Sequence, residues 1–155
     1  MGLKLCEVVH YYNKYTYQLI IGAKAVALGR IKNKNITARH LCVCSLCIDM
    51  LGMLLRKISE RIKISQLPKA IEDLTSHHTE IVRKLKSILM ARVTSSLEEI
   101  DLLKVPCKGT ENIVTSAKTL FDIVQDYLTP ENTRRIFDGD LFRAYNERIG
   151  KLPIR

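Results

Sequence analysis

The sequence has no tryptophan, only seven glycines, and no apolar run long enough to span a bilayer. Its longest apolar stretch, Leu19 to Leu28, is interrupted by Lys24 and falls far short of the ~20 residues a membrane-crossing helix needs. The opening residues lack the basic, apolar and small-residue succession of a secretory signal, so secretion is not expected. There is no glycine-rich loop to cradle phosphate, no internal repeat and no low-complexity tract. Five cysteines are an odd number without the spacing of a disulfide scaffold, and a reducing compartment is the simpler reading. No Ser/His/Asp or Cys/His set stands at catalytic spacing, so no enzyme is expected. With 46% hydrophobic and 26% charged residues, the chain has the composition of a folded globular protein rather than a disordered one. Its 155 residues suit a single module, 1–155, of the size that can bury a core, or a fragment of a longer protein.

What the chain has in excess is positive charge, and that charge is unevenly placed. Residues 1–66 carry 11 Lys and Arg against 3 Asp and Glu, whereas residues 67–155 carry 14 against 13. A basic half joined to a balanced half points to a face that meets something anionic: nucleic acid, a lipid surface or an acidic protein. A solvated basic surface with no partner is the plain alternative. The basic residues that cluster best are Lys24, Arg30, Lys32, Lys34 and Arg39, around a polar connection after Gly29.

Apolar residues recur at helical spacing throughout, in five segments, and no strand pattern is present. The first segment runs from about Lys4 to Leu28, with Val8, Tyr12, Tyr15, Leu19 and Val26 on one face. Gly29 and the following Asn-rich string close it, and Thr37 is placed to cap a second helix. In that helix Leu41, Cys44, Ile48, Leu51, Leu55, Ile58 and Ile62 alternate steps of three and four, a seam for packing along another helix. Pro68 suits the first turn of a third helix, whose period continues through Leu74, Ile81, Leu85 and Val93 to about Leu103. Thirty-six residues from Pro68 would reach roughly 54 Å, natural for a rod. Thr110 and Glu111 open a fourth helix. Thr129-Pro130-Glu131 opens a fifth, with Ile136, Phe137, Leu141, Phe142 and Tyr145 inward and Gly139 in its interior. The expected fold is all-α: an elongated bundle of about five long antiparallel helices.

Two clusters imitate metal sites. His40, Cys42, Cys44 and Cys47 lie inside the second helical pattern, where Cys42 and Cys44 point roughly 200° apart and only Cys44 and Cys47 share a face. Tetrahedral zinc needs four converging ligands, and no second Cys/His pair follows, so these thiols read as packing residues. His77 and His78 diverge by about 100°, and His78, on the Leu74/Ile81 face, reads as a hydrogen-bonded histidine within the bundle. The acidic clusters Glu72-Asp73 and Glu98-Glu99-Asp101 read as solvated helix faces. Tyr11, Tyr12, Tyr15 and Tyr17 could stack bases, but Tyr12 and Tyr15 share the Val8/Leu19 face and read as packing, with Tyr11 projecting elsewhere.

The run Tyr12-Asn13-Lys14-Tyr15-Thr16-Tyr17-Gln18-Leu19-Ile20-Ile21-Gly22-Ala23, followed by Ile36-Thr37-Ala38-Arg39-His40-Leu41, resembles the C-terminal region of the vacuolar protein sorting-associated protein 54 family. Leu128-Thr129-Pro130-Glu131 resembles the start of a helix near that region's end. The likeness is dense over about residues 9–62 and rests beyond them on helix order. The Cys42/Cys44/Cys47 cluster is not part of it. The resemblance implies a non-enzymatic domain from the C-terminal part of a subunit of the Golgi-associated retrograde protein complex, which tethers endosome-derived vesicles at the trans-Golgi network. It implies that the other subunits bind an N-terminal part not contained here and that SNARE proteins act through the complex. This domain would meet an endosomal vesicle protein or an anionic lipid surface, on the cytoplasmic side of trans-Golgi and endosomal membranes. It brings no catalytic residue, metal or cofactor. The rival reading is a basic helical nucleic-acid-binding domain. No helix-turn-helix signature supports it and the helices are too long for one, so nucleic acid is not the expected partner.

Overall fold

The computed structural model describes residues 4, 7–12, 14, 34–101, 103–104 and 106–152. Five helices follow one another: α1 (Lys34–Arg61), α2 (Leu67–Glu98), α3 (Lys108–Val124), α4 (Pro130–Ile136) and α5 (Gly139–Gly150). Residues 7–12 are helical as well, and no strand is present among the described residues. The all-α bundle expected from periodicity is therefore the fold observed. Its longest element, α2, runs 32 residues, about 48 Å at 1.5 Å per residue, and packs against each of the other four helices.

A five-residue link joins α1 to α2, a length that suits an antiparallel helix hairpin. Leu67 at the start of α2 donates its N–H back to the carbonyl of Ile64 at 3.1 Å, and Pro68 sits in the first turn, as its missing N–H favours. The seam of α1 faces inward through Leu41, Cys44, Ile48 and Leu55, with Leu51 and Ile58 half-buried. It stops there. Ile62, counted as the seam's last member, is 55% exposed because α1 ends at Arg61 and the chain turns away. At its other end α1 begins at Lys34, three residues before Thr37, so Thr37 is an internal helical residue and not the cap.

α2 ends at Glu98, earlier than the pattern suggested, and Leu103 is exposed. The period persists to Ile100, which is buried without being helical, and this is why apolar spacing alone overran the terminus. Gly109, the second residue of α3, lies so close to the end of α2 that a Cβ there would stand 2.7 Å from both Ile100 N and Ser96 O. α3 accordingly starts at Lys108, two residues before Thr110, and runs alongside α1 and α2.

The expected fifth helix is two helices. Thr129 caps α4 as its sequence predicts, its hydroxyl accepting from the N–H of Asn132 at 3.3 Å. Asp138 then caps α5 through its own carboxylate, which accepts from Asp140 N at 3.2 Å, and Gly139 is the first residue of α5 and not an interior one. Phe142, placed in the buried face by the unbroken period, is 70% exposed.

Lys86 of α2 fixes this break against the bundle, its ammonium lying 2.6 Å from carboxylate oxygens of both Asp138 and Asp140. Farther along, Arg148 Nε donates to Leu97 O at 2.9 Å, so α5 runs in the same direction as α2. Hydrogen bonding to Lys86 lowers the Asp138 pKa, and the same bonds raise that of Lys86. The carboxylate's contribution is thus present above its unfolded pKa and lost as pH falls through the folded one. The ammonium's is present below its unfolded pKa and lost as pH rises through the folded one. Lys86→Met is expected to cost about 1 kcal/mol near neutral pH, since both carboxylates are more than 40% exposed. In thermal melts that gap from the parent should narrow below the ordinary aspartate range, near pH 4.

Candidate functional surface

Of the basic residues singled out from sequence, Lys24, Arg30 and Lys32 lie outside the described residues, and the side chain of Lys34, the first residue of α1, does too. Arg39 is exposed on the first turns of α1. Farther along α1, Arg56, Lys57 and Arg61 are also exposed. Among the described residues none of these four joins an ion pair, so their charge is directed to solvent.

The cysteine cluster divides by burial. Cys42 and Cys44 are buried and Cys47 is exposed, yet Cys44 and Cys47 share a face as expected, both meeting the Tyr12 hydroxyl while Cys42 does not. α1 is covered from more than one direction. The hydroxyl of Tyr12 donates to Cys44 O at 3.2 Å, while His78 of α2 meets Ser45, three residues from Cys42 on the helix surface. The N-terminal stretch packs through Val9 and Tyr12; Val8, expected to be inward, is exposed, because one residue's rotation moves it 100° off that face. Tyr11 is exposed as expected, and Tyr15 and Tyr17 lie outside the described residues. His40 is exposed, unlike Cys42 and Cys44, and the described residues contain no group of three or more His, Cys, Asp or Glu able to hold a metal.

Burial raises the Cys42 thiol to about 12, leaving it un-ionised. Cys107, just before α3, is lowered instead, first by a hydrogen bond from the Thr110 side chain and then by backbone N–H groups of the helix start. With a disulfide reagent at pH 7.5, Cys107 is expected to react at least about 100-fold faster than Cys42, which should label only on unfolding. Mass spectrometry of the quenched, digested protein reads the order.

One constellation was invisible to spacing. Ser45 Oγ lies 2.8 Å from His78 Nε2, and Asp49 Oδ2 lies 3.3 Å from the same nitrogen. A nucleophilic triad divides serine and carboxylate between the two ring nitrogens, with the serine open to substrate. Here both meet Nε2, and Ser45 is fully buried. The cluster satisfies a histidine between α1 and α2, as His78's position on the Leu74/Ile81 face predicted. A small cleft of about 70 Å3 lies beside it, lined in part by Gly52, Arg56 and Thr75. No described helix is long and apolar enough to cross a membrane.

The geometry therefore offers surfaces for contact. Among the described residues, exposed large apolar side chains gather on the outer side of α1, where Met50, Met53 and Leu54 stand in solvent. Sequence reasoning missed this side because it sought a single buried seam.

Residues 1–92 match the model of a family described as Vps54-like protein. The chain is 30% identical over 107 residues to the chloroplastic vacuolar protein sorting-associated protein 54 of Arabidopsis thaliana, covering 61% of this chain and 10% of that protein. It is 24% identical over 148 residues to the vacuolar protein sorting-associated protein 54 of Mus musculus and to that of Homo sapiens, covering 88% of this chain and 15% of each. The chain thus spans 10–15% of the length of these curated relatives. No solved structure matches it. With more than half of its residues inside the family match, the chain belongs to the Vps54-like protein family.

Proposed function

We propose that this chain is a helical module of a vesicle-tethering subunit acting in retrograde transport from endosomes to the trans-Golgi network, and that it contributes to endosome and vesicle targeting. The observation that carries this reading is the Vps54-like match over residues 1–92, which contains all of the chain's excess positive charge. The targeting surface is the basic segment Lys24, Arg30, Lys32 and Lys34, continued by Arg39 on α1, and its counterpart is the anionic cytoplasmic leaflet of the vesicle. Each basic residue near such a leaflet contributes about 1 kcal/mol, so the contact is weak alone and gains strength from the rest of the complex. The other subunits of the Golgi-associated retrograde protein complex assemble on regions of the whole protein outside this chain, and SNARE proteins engage the complex. The role is that of a scaffold, without catalysis or cofactor.

Expressed with a fluorescent tag, the chain is expected to concentrate on endosomal and trans-Golgi membranes. The Arg30→Glu/Lys32→Glu/Lys34→Glu variant should be diffuse. Nuclear accumulation of the parent, or unchanged localisation of the variant, would contradict the assignment.

A further inference from the structure

α1 carries a second seam, directed away from the bundle. Val43, Leu46, Met50 and Met53 alternate steps of three and four, and all four are 38–60% exposed. The same register continues to Arg39, four residues before Val43, and to Lys57, four residues after Met53. The result is an apolar line with a cation at each end, extending about 27 Å from Arg39 to Lys57. This is the spacing by which one helix receives the knobs of another. Two methionines at its centre supply flexible, polarizable side chains that adapt to a partner's shape.

The charges choose among the possible occupants. A second copy of α1 would bring Arg39 against Lys57 if packed antiparallel, and like against like if packed parallel, so self-association juxtaposes cations either way. A flat anionic membrane would be met by cations along the sides of the apolar face, as in helices that lie in an interface. Here the cations are at the ends of the line, and the acids lie along one edge, on the Met53 side, with Asp49 beside the line and Glu60 past Lys57. A helix laid along the seam leaves those acids to one side and sets its own termini beside Arg39 and Lys57.

We propose that the outer face of α1 is a docking site for an amphipathic helix of a partner protein, about five turns long, apolar at heptad spacing and acidic at both ends. This site shares Arg39 with the basic surface proposed to meet membrane but uses none of Lys24, Arg30, Lys32 and Lys34, and it stands without them.

The test uses two synthetic 21-residue helical peptides that share a leucine heptad seam, one with glutamates at both ends and one with lysines. Fluorescence anisotropy should register binding of the glutamate peptide to the 155-residue chain, and at least about tenfold weaker binding of the lysine peptide. Arg39→Glu/Lys57→Glu should invert that preference. Met50→Asp/Met53→Asp should abolish binding of both peptides, with circular dichroism and melting unchanged because these side chains are exposed. Charge reversal of Arg30, Lys32 and Lys34 should leave peptide binding intact, which separates this site from the membrane contact. Failure of the glutamate peptide to bind, equal binding of the two peptides, or insensitivity to Met50→Asp/Met53→Asp would overturn the proposal. Two further results would replace it. One is sedimentation showing a dimer dissolved by Met50→Asp/Met53→Asp. The other is flotation with phosphatidylserine vesicles lost in that variant.

Discussion

Leu55→Asp is expected to lower stability by more than about 4 kcal/mol and leave much of the chain without a cooperative melting transition. Leu55 is 0% exposed on the inward seam of α1. The substitution removes a buried side chain worth about 1.5–3 kcal/mol of burial and puts a carboxyl in its place. A buried carboxyl must then ionise without a partner or take up a proton, and either is costly. Folded proteins have only about 5–15 kcal/mol in reserve. Leu51, half-buried on the same seam, should show a smaller loss as Leu51→Asp. Met53, two residues before Leu55, points outward at 57% exposure, and Met53→Asp should change stability by no more than about 0.5 kcal/mol. Circular dichroism melts of the three variants read the difference. Similar melting for Leu55→Asp and Met53→Asp would show that the two faces of α1 are wrongly assigned.

Gly109→Ala should be the second severe change, although it adds one carbon. That carbon would lie 2.7 Å from Ser96 O, 2.7 Å from Ile100 N and 2.8 Å from Glu99 C, all of them main-chain atoms. A flexible side chain could swing aside, but a helix end cannot. α3 must therefore shift away from α2, and both helices lose contacts along their shared face. Overpacking of this kind costs about 3 kcal/mol, near the upper end of its usual range. At 2–4 °C per kcal/mol for a domain of this size, melting should fall by roughly 6–12 °C. Gly52→Ala is the natural control, because a Cβ at Gly52 meets nothing within 4 Å. Helix propensity should make that variant more stable by up to about 1 kcal/mol. Equal melting temperatures for the two variants would contradict the close approach of α3 to α2.

The difference between those glycines shows where sequence reading succeeds and where it ends. The inward seam of α1, the first-turn position of Pro68 and the cap at Thr129 were legible because each depends on residues within a few positions. Gly109 gave no such local signal, because its constraint comes from Ser96 and Ile100, which only folding brings near. The break at Asp138 was hidden for another reason. Ile136, Phe137, Leu141 and Tyr145 keep a helical period across it, while the signal for a new helix is a single Asp before Gly139 and Asp140.

Charge asymmetry directed attention to the basic residues between positions 24 and 39, of which the structure describes the side chain of Arg39. The outer seam was available in principle. Thirteen of the eighteen residues from Leu41 to Ile58 are apolar, more than one buried stripe can use. That surplus was not converted into a second face. The Ser45–His78–Asp49 cluster could not be foreseen, since it joins two helices across 33 positions of sequence.

The measurement that bears most directly on the central claim is flotation of the purified chain with liposomes, neutral against phosphatidylserine- or phosphoinositide-rich, at low and physiological salt. A duplex-DNA shift assay runs on the same preparation. A basic membrane contact predicts flotation with anionic vesicles alone, weakened by salt and lost in Arg30→Glu/Lys32→Glu/Lys34→Glu. Tight DNA binding without flotation, or flotation that survives the triple charge reversal, would contradict it.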